Sequence, residues 1–337
     1  MSPTVNISID VMGGDFGPHL CIPAALKFLA AQSDVSITLV GKRALMEPLV
    51  GDSKLLDRIS FVHAEDVVEM SDKPGLALRH KRGASMWQAL KLVADGHCDA
   101  CVSGGNTGAL MAIGRHLLKT VEGISRPAIC KSIPTASGKS FLLDLGATLE
   151  CSPEQLLQFA LMGSALSQVD GVRFPRVSLL NVGAENSKGS SNVQLAAALL
   201  EGHKGINFSG FVEGSDLFAG HVDVIVCDGF IGNVALKVGE GTASFILGSL
   251  RQEFAKGFAR SFVGVLVSFA LKGWWERFNP QKYNGAALVG LKKVVVKSHG
   301  GADEFGFQQA LHDAYLQVRA NIPKNLEACL LTPVCEG

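Results

Sequence analysis

Lys188 lies two residues after Asn186, at the opening of the helical pattern "SKGSSNVQLAAALL". A cation there, beside the positive end of a helix, suits a phosphate-sized anion. Lysine opposes the dipole at that end, which favours a ligand over a plain capping role. Asn233 follows Gly232 at the start of a second helical pattern and carries Lys237 one turn on. Its amide can cap the helix or touch a substrate, and the two roles are compatible. Asn106 in "CVSGGNTGAL" has the same two readings, and Thr107 and Gly108 follow it. Asp10 ends the apolar run "VNISIDV", and Asp228 ends "VDVIVCDG". A carboxylate repels phosphate, so both are assigned to orienting other groups. His299, in "KSHGGAD", can donate to a leaving thiolate or to phosphate, or hold its loop together.

These residues share a setting. Each stands where an apolar run gives way to glycines: Gly13 and Gly14, Gly105, Gly189, or Gly229 and Gly232. In open parallel sheets ligands bind beyond the carboxyl ends of strands, where bare backbone can approach them. One such turn is ordinary chain reversal. Four, each with Asp, Asn or Lys, predict one anion-binding cleft. No turn matches the G-x-x-x-x-G-K-[ST] phosphate loop or a dinucleotide fingerprint. No cofactor is expected.

The elements around the turns alternate. Strand-length runs at "VNISIDV", "SITLVG", "ISFVHA", "ACVS", "RVSLLNVG", "VDVIVCDG" and "KKVVVKSHG" are mostly separated by helical patterns such as "SMWQALKLVADG". That predicts an α/β fold with a largely parallel, doubly wound sheet. "PAICKSI" and "SFLLDLG" are joined only by "PTASGK", too short for a crossover, so they form an antiparallel hairpin. No linker interrupts the pattern, which gives one α/β domain over 1–337. Residues 243–278 stand apart as a helical arm, rich in aromatics and cations, with Trp274 and Trp275. Its apolar stretch is short of the roughly 20 residues that span a bilayer. It suits a membrane interface or a second subunit equally.

Of 337 residues, 47% are hydrophobic, enough for a large core, and Lys plus Arg balance Asp plus Glu at 31 each. A neutral chain has no bulk attraction for nucleic acid, and no nucleic-acid partner is expected. Eight cysteines fall mostly in apolar runs, and no leader precedes the first strand, so reduced thiols in the cytoplasm are expected. The Cys98–Cys101 pair lacks a second ligand pair at zinc-site spacing, so no metal is assigned. The run Arg79, His80, Lys81, Arg82 is the best local basic patch for an acidic partner, with a solvated helix end as the ordinary reading.

The motifs "IDVMGGDFGP", "SGGNTGALMA", "LLDLGA", "LLNVG.E..KG", "VEG.D", "DGFIGNVALK", "YNGA.LVGL" and "KSHG..D...F" occur in order over residues 8–307. The set resembles the bacterial phosphate acyltransferases of phospholipid synthesis. That resemblance implies acyl transfer from acyl carrier protein to inorganic phosphate, yielding acyl phosphate. It also implies an isocitrate/isopropylmalate dehydrogenase-like fold and a homodimer loosely held at the inner membrane surface. The product would pass to a membrane glycerol-3-phosphate acyltransferase. Ser215 departs from the family's pattern, where an arginine is expected, and no role is given to it. The chemistry fits the residues: phosphate is already an anionic nucleophile and needs holding, and the carbonyl oxygen needs donors. The competing readings are a phosphate acetyltransferase using acyl-coenzyme A, a hydroxyacid dehydrogenase of the same fold, and a non-enzymatic membrane scaffold. The dehydrogenase needs a carboxylate-held metal and an arginine cluster, and neither assembles from the sequence.

Overall fold

The computed structural model describes residues 5–256 and 279–331. The strands are β1 (Val5–Asp10), β2 (Val35–Gly41), β3 (Ile59–His63), β4 (Ala100–Ser103), β5 (Ala128–Thr135), β6 (Gly138–Leu143), β7 (Arg176–Leu180), β8 (Asn207–Val212), β9 (Val224–Val226), β10 (Ala286–Val289) and β11 (Val294–Lys297). They form one 11-stranded sheet in the order β3-β2-β1-β4-β11-β10-β5-β6-β9-β7-β8. The helices are α1 (Pro18–Ala31), α2 (Arg43–Val50), α3 (Pro74–His80), α4 (Ser85–Ala94), α5 (Thr107–Leu118), α6 (Pro153–Val169), α7 (Ser191–Glu201), α8 (Gly229–Ala255), α9 (Glu304–Arg319) and α10 (Ile322–Leu331).

The expected α/β class and the hairpin both stand. β5 pairs antiparallel with β6, from Thr135↔Gly138 to Cys130↔Leu143. Two strands escape the sequence pattern. β8 sits at the sheet edge with a mostly exposed face, so it carries little apolar signal. β10 has four residues and pairs antiparallel with both β11 and β5.

Those pairings have a consequence for the site. β3, β2, β1, β4 and β11 run parallel to one another, as do β6, β9, β7 and β8. Between the two sets lie three antiparallel pairings, β11–β10, β10–β5 and β5–β6. An odd number of reversals turns the second set against the first. The register nevertheless brings the carboxyl ends of both sets to one row, where Ile9, Val102, Val296, Ala287, Cys130, Leu143, Val226 and Leu179 lie side by side, so the turns after β1, β4, β7 and β9 leave the sheet at the same level from opposite directions.

Four apolar clusters fill the faces. In the first half Ile7, Ile9, Leu39 and Phe307 pack under α1 and α9, and Met86, Leu90, Leu110 and Val295 pack under α4 and α5 on the other face. In the second half Leu143, Phe159, Met162 and Val224 pack beneath α6. The remaining face, with Ile129, Leu142, Leu180 and Ile225, meets Ala235 and Leu236 of α8. Burial on both faces explains why these strands read as continuous apolar runs. Helix starts are set locally: Asn106, Ser152, Ser190, Asp228 and Asp303 each accept a hydrogen bond from a backbone N–H of the helix they cap.

Candidate active site

A cavity of about 620 Å³ opens beside the central strands β10 and β5, between α5 from the first half and α8 from the second. Met111, Ile129, Leu145 and Leu236 make part of its wall apolar. Its charged lining is one-sided: Arg115, Arg126, Lys131, Lys237 and Lys297 face a single carboxylate, Glu240. Five cations against one anion in a concave site attract a multiply charged anion.

The lysines are anchored. Lys297 ends β11 and is 8% exposed. Its Nζ donates to the carbonyl oxygens of Gly104, at 3.0 Å, and of Ser298. An ammonium has three donors, so two are engaged and one remains for a ligand. Burial, above all, lowers its pKa to about 8, against the charges of Asp10 and Asp15. Lys131, on β5, reaches Glu240 Oε1 at 2.8 Å, and Lys237, on α8, reaches Glu240 Oε2 at 2.9 Å. One carboxylate thus ties a sheet lysine to a helix lysine.

His299 follows Lys297 at the cavity rim. Its Nδ1 accepts from the Gly301 N–H at 3.1 Å, which leaves the neutral ring's proton on Nε2. Partial burial, then the charge of Lys237, holds its pKa below the usual imidazole value, so the neutral form prevails at pH 7. Asn284 buttresses the segment: its Oδ1 accepts from the His299 N–H and its Nδ2 donates to Ser298 Oγ and Gly306 O.

Of the residues singled out from sequence, Thr107, Gly108, Asn233, Lys237 and His299 line this cavity. The others lie elsewhere. Asp10 is buried behind the wall, where Ser85 Oγ and Ser103 Oγ donate to its two oxygens at 2.6 and 2.7 Å. Burial raises its pKa, and the Lys297 charge works against that, in keeping with an orienting role towards a lysine. Asn106 corrects its assignment as a substrate ligand. Its Oδ1 caps α5 through Ala109 N–H, and its Nδ2 donates to the carbonyls of Glu69, Met70 and Asp72. The amide has no free donor left for a substrate.

Lys188 does not open a helix. Ser190 caps α7, and Lys188 sits in the loop before it, exposed and paired with Glu185 at 3.0 Å. It is outside the cavity lining, as are Asp228, Gly189 and the exposed Ser215. Asp228 caps α8 through Ile231 N–H. Gly229 and Gly232 prove to be packing glycines: a Cβ would sit 2.7 Å from Asp144 Oδ2 at the first and 1.9 Å from Asp144 O at the second. Gly13 and Gly105 are alike, since a Cβ on Gly13 would lie 2.7 Å from Gly105 N. Gly14 is pressed against Gly300 O, 3.1 Å from where a Cβ would lie, and Gly189 against Asn181 Oδ1, at 2.1 Å. Of the basic run, Lys81 is committed to Asp72 and Val67 O, Arg82 lies over the Trp87 ring, and Arg79 is exposed on α3.

Lys131, Lys297, Glu240, Arg115 and Arg126 were missed. The first two had a signal: a lysine inside "AICKSIPT" and one ending "VVVK" interrupt strands that are otherwise buried, and such charges need a partner or a ligand. Among the described residues no cluster of three or more His, Cys, Asp or Glu could hold a metal ion. The six cysteines Cys21, Cys98, Cys101, Cys130, Cys151 and Cys227 are free and buried, as expected of structural thiols.

The family described as "Fatty acid synthesis protein" matches residues 5–325. A protein of Saccharophagus degradans named phosphate acyltransferase is 57% identical over 337 residues, 100% of this chain and 99% of its own. Its namesake from Teredinibacter turnerae is 54% identical over 98% of this chain and 100% of its own. The chain belongs to the phosphate acyltransferase family. It is accordingly an acyltransferase of fatty acid synthesis. Solved structures share the fold at low identity. A phosphotransacetylase from Streptococcus pyogenes has a TM-score of 0.62 at 14% identity, covering 94% of each chain. A branched-chain phosphotransacylase from Enterococcus faecalis has 0.59 at 16%, covering 94% of this chain and 99% of that one. A protein described as a 4-hydroxythreonine-4-phosphate dehydrogenase, from Salmonella typhimurium, has 0.54 at 14% over 94% of this chain and 100% of its own. These place the phosphate acyltransferase fold among acyl-transfer and dehydrogenase architectures.

Proposed function

We propose that the protein moves a long-chain fatty acyl group from acyl carrier protein to inorganic phosphate, giving acyl phosphate and free carrier. The cavity supports this: a cation-rich floor for phosphate next to apolar wall for the start of an acyl chain. A phosphate oxygen attacks the thioester carbonyl carbon. The carbonyl becomes an oxyanion, collapses, and expels the carrier's thiolate, which takes up a proton. Phosphate brings its own negative charge, so no general base is required. Lys131, Lys237 and Lys297 hold it close, which lowers the entropic barrier. The Asn233 amide is the donor assigned to the oxyanion, a role worth a few kcal/mol of barrier in comparable enzymes. His299 Nε2–H is assigned as a hydrogen-bond donor to the departing sulfur, keeping its own proton, and the thiolate is protonated from water after release.

The partners follow from this reading. The carrier is acidic, and Arg115 and Arg126 at the cavity, with Arg79 on α3 and Arg82 just after it, offer it positive surface. α8 exposes Ile231, Val234, Val238 and Phe245 at helical spacing, a stripe assigned to a second copy of the chain in a homodimer. Among the described residues no helix is long and apolar enough to cross a membrane. The expected arm at 243–278 begins on α8, and its residues 257–278, with the assigned contact to a cytoplasmic membrane face and onward delivery to glycerol-3-phosphate acyltransferase, lie outside the described residues.

The test is turnover with palmitoyl carrier protein and labelled phosphate, with palmitoyl- and acetyl-coenzyme A as rivals. Labelled acyl phosphate from the carrier substrate, trapped as the hydroxamate, is expected to dominate. Faster turnover of acetyl-coenzyme A would assign the chain to short-chain acetyl transfer instead.

A further inference from the structure

Glu240 is an odd residue for a phosphate pocket. It is the one carboxylate among five cations lining the cavity. A site selected only for negative charge would omit it, because it repels any anion that enters. Its geometry is nevertheless well defined. Oε1 accepts from Lys131 Nζ at 2.8 Å and Oε2 from Lys237 Nζ at 2.9 Å, with Lys131 13% and Glu240 26% exposed at the side chain. Each carboxylate oxygen has two lone-pair sites, so each can accept one more hydrogen bond.

Inorganic phosphate near neutral pH always carries at least one O–H, whether as the mono- or the dianion. Sulfate, of the same shape and size, carries none. A carboxylate in contact with a bound tetrahedral anion therefore accepts a hydrogen bond from hydrogen phosphate and faces only lone pairs from sulfate. Resting on the reading of this cavity as the phosphate site, we infer that Glu240 determines its specificity, accepting the phosphate O–H and rejecting anions that have no proton to offer. Lys131 and Lys237, fixed on either side of it, bind the charged oxygens of the same anion. The design needs Glu240 ionised. Burial works against that, but the charges and hydrogen bonds of Lys131 and Lys237 prevail and hold its pKa below the usual carboxylate value. A site built to pair with a hydroxyl rejects the analogue without it far more strongly than an apolar pocket rejects a missing methylene.

Calorimetric titration of the full chain with sodium phosphate and with sodium sulfate, at constant ionic strength and pH 7, tests this. The wild type should bind phosphate at least about 100-fold more tightly than sulfate. In Glu240→Gln the ratio should fall to within about threefold, chiefly by tighter sulfate, because the amide donates where the carboxylate repelled. Glu240→Asp, which keeps the charge, should keep the preference. A merely structural Glu240 would weaken both anions together. An unchanged ratio in Glu240→Gln, with phosphate still bound and consumed, overturns this inference while leaving the phosphate site in place. Wild type that binds neither anion and shows no phosphate-dependent turnover overturns both.

Discussion

Lys297 and Asn106 are both polar and both nearly buried, yet the structure spends them differently. Asn106 has both amide donors engaged within the fold, and its oxygen caps α5. Asn106→Ala removes the α5 cap and strands three carbonyls, so stability should fall by about 1–2 kcal/mol in a denaturant titration. Lys297 keeps one donor free beside the cavity, and its charge is conditional. With a pKa near 8, set mainly by burial, it is a cation below that pH and neutral above it. Phosphate affinity should accordingly show a loss as pH rises through about 8, separated from phosphate's own second ionisation by comparison with a variant that lacks the lysine. Lys297→Met should lose on the order of 10²-fold in kcat/KM for phosphate and show no such inflection. A pH–rate profile for both proteins checks it, and a persisting inflection in the mutant would assign the titration to another group.

At the scale of elements, the loops that looked like ligand cradles are mostly joints. The 144–148 turn and the first turn of α8 meet backbone to backbone because Gly229 and Gly232 carry no Cβ. Asp144 completes the joint, accepting from the N–H groups of Ile129, Leu145 and Thr148. This fixes where α8 starts, and hence where Asn233, Lys237 and Glu240 stand along the cavity wall. Gly232→Ala would place a carbon 1.9 Å from the Asp144 carbonyl oxygen, so α8 must shift. The expected cost is about 1–3 kcal/mol, seen as a lower Tm, together with a raised KM for phosphate. A variant with wild-type melting and kinetics would show the joint to be loose.

For the whole molecule, the surface that bears on assembly is an exposed apolar stripe on α8. Val238 is 61% and Phe245 74% exposed, on the same helix whose inner face bears the cavity residues. A second copy seated there would tie assembly to the site's own wall. Phe245→Asp, alone or with Val238→Asp, should convert a dimer to a monomer in sedimentation velocity and lower turnover without altering far-ultraviolet dichroism. A wild-type monomer at micromolar concentration would refute the assignment.

Much of this was legible in the chain. Alternating apolar runs and helical patterns determined the α/β class, and the six-residue "PTASGK" connection determined the hairpin, because periodicity and loop length are local properties. The motif series identified the family for the same reason. Pairing order is not local. The insertion of β10 between β11 and β5 reverses half the sheet, and only the register shows that both halves end on one row, where their turns meet from opposite directions. Only the tertiary structure could show that the Asn106 amide is spent on three carbonyls, that Lys188 is outside the cavity, and that Lys131, Glu240 and Lys297 meet there from two strands and a helix far apart in the chain. A side chain's type states what it can do, while its neighbours, brought from distant segments by packing, decide what it has left to do it with.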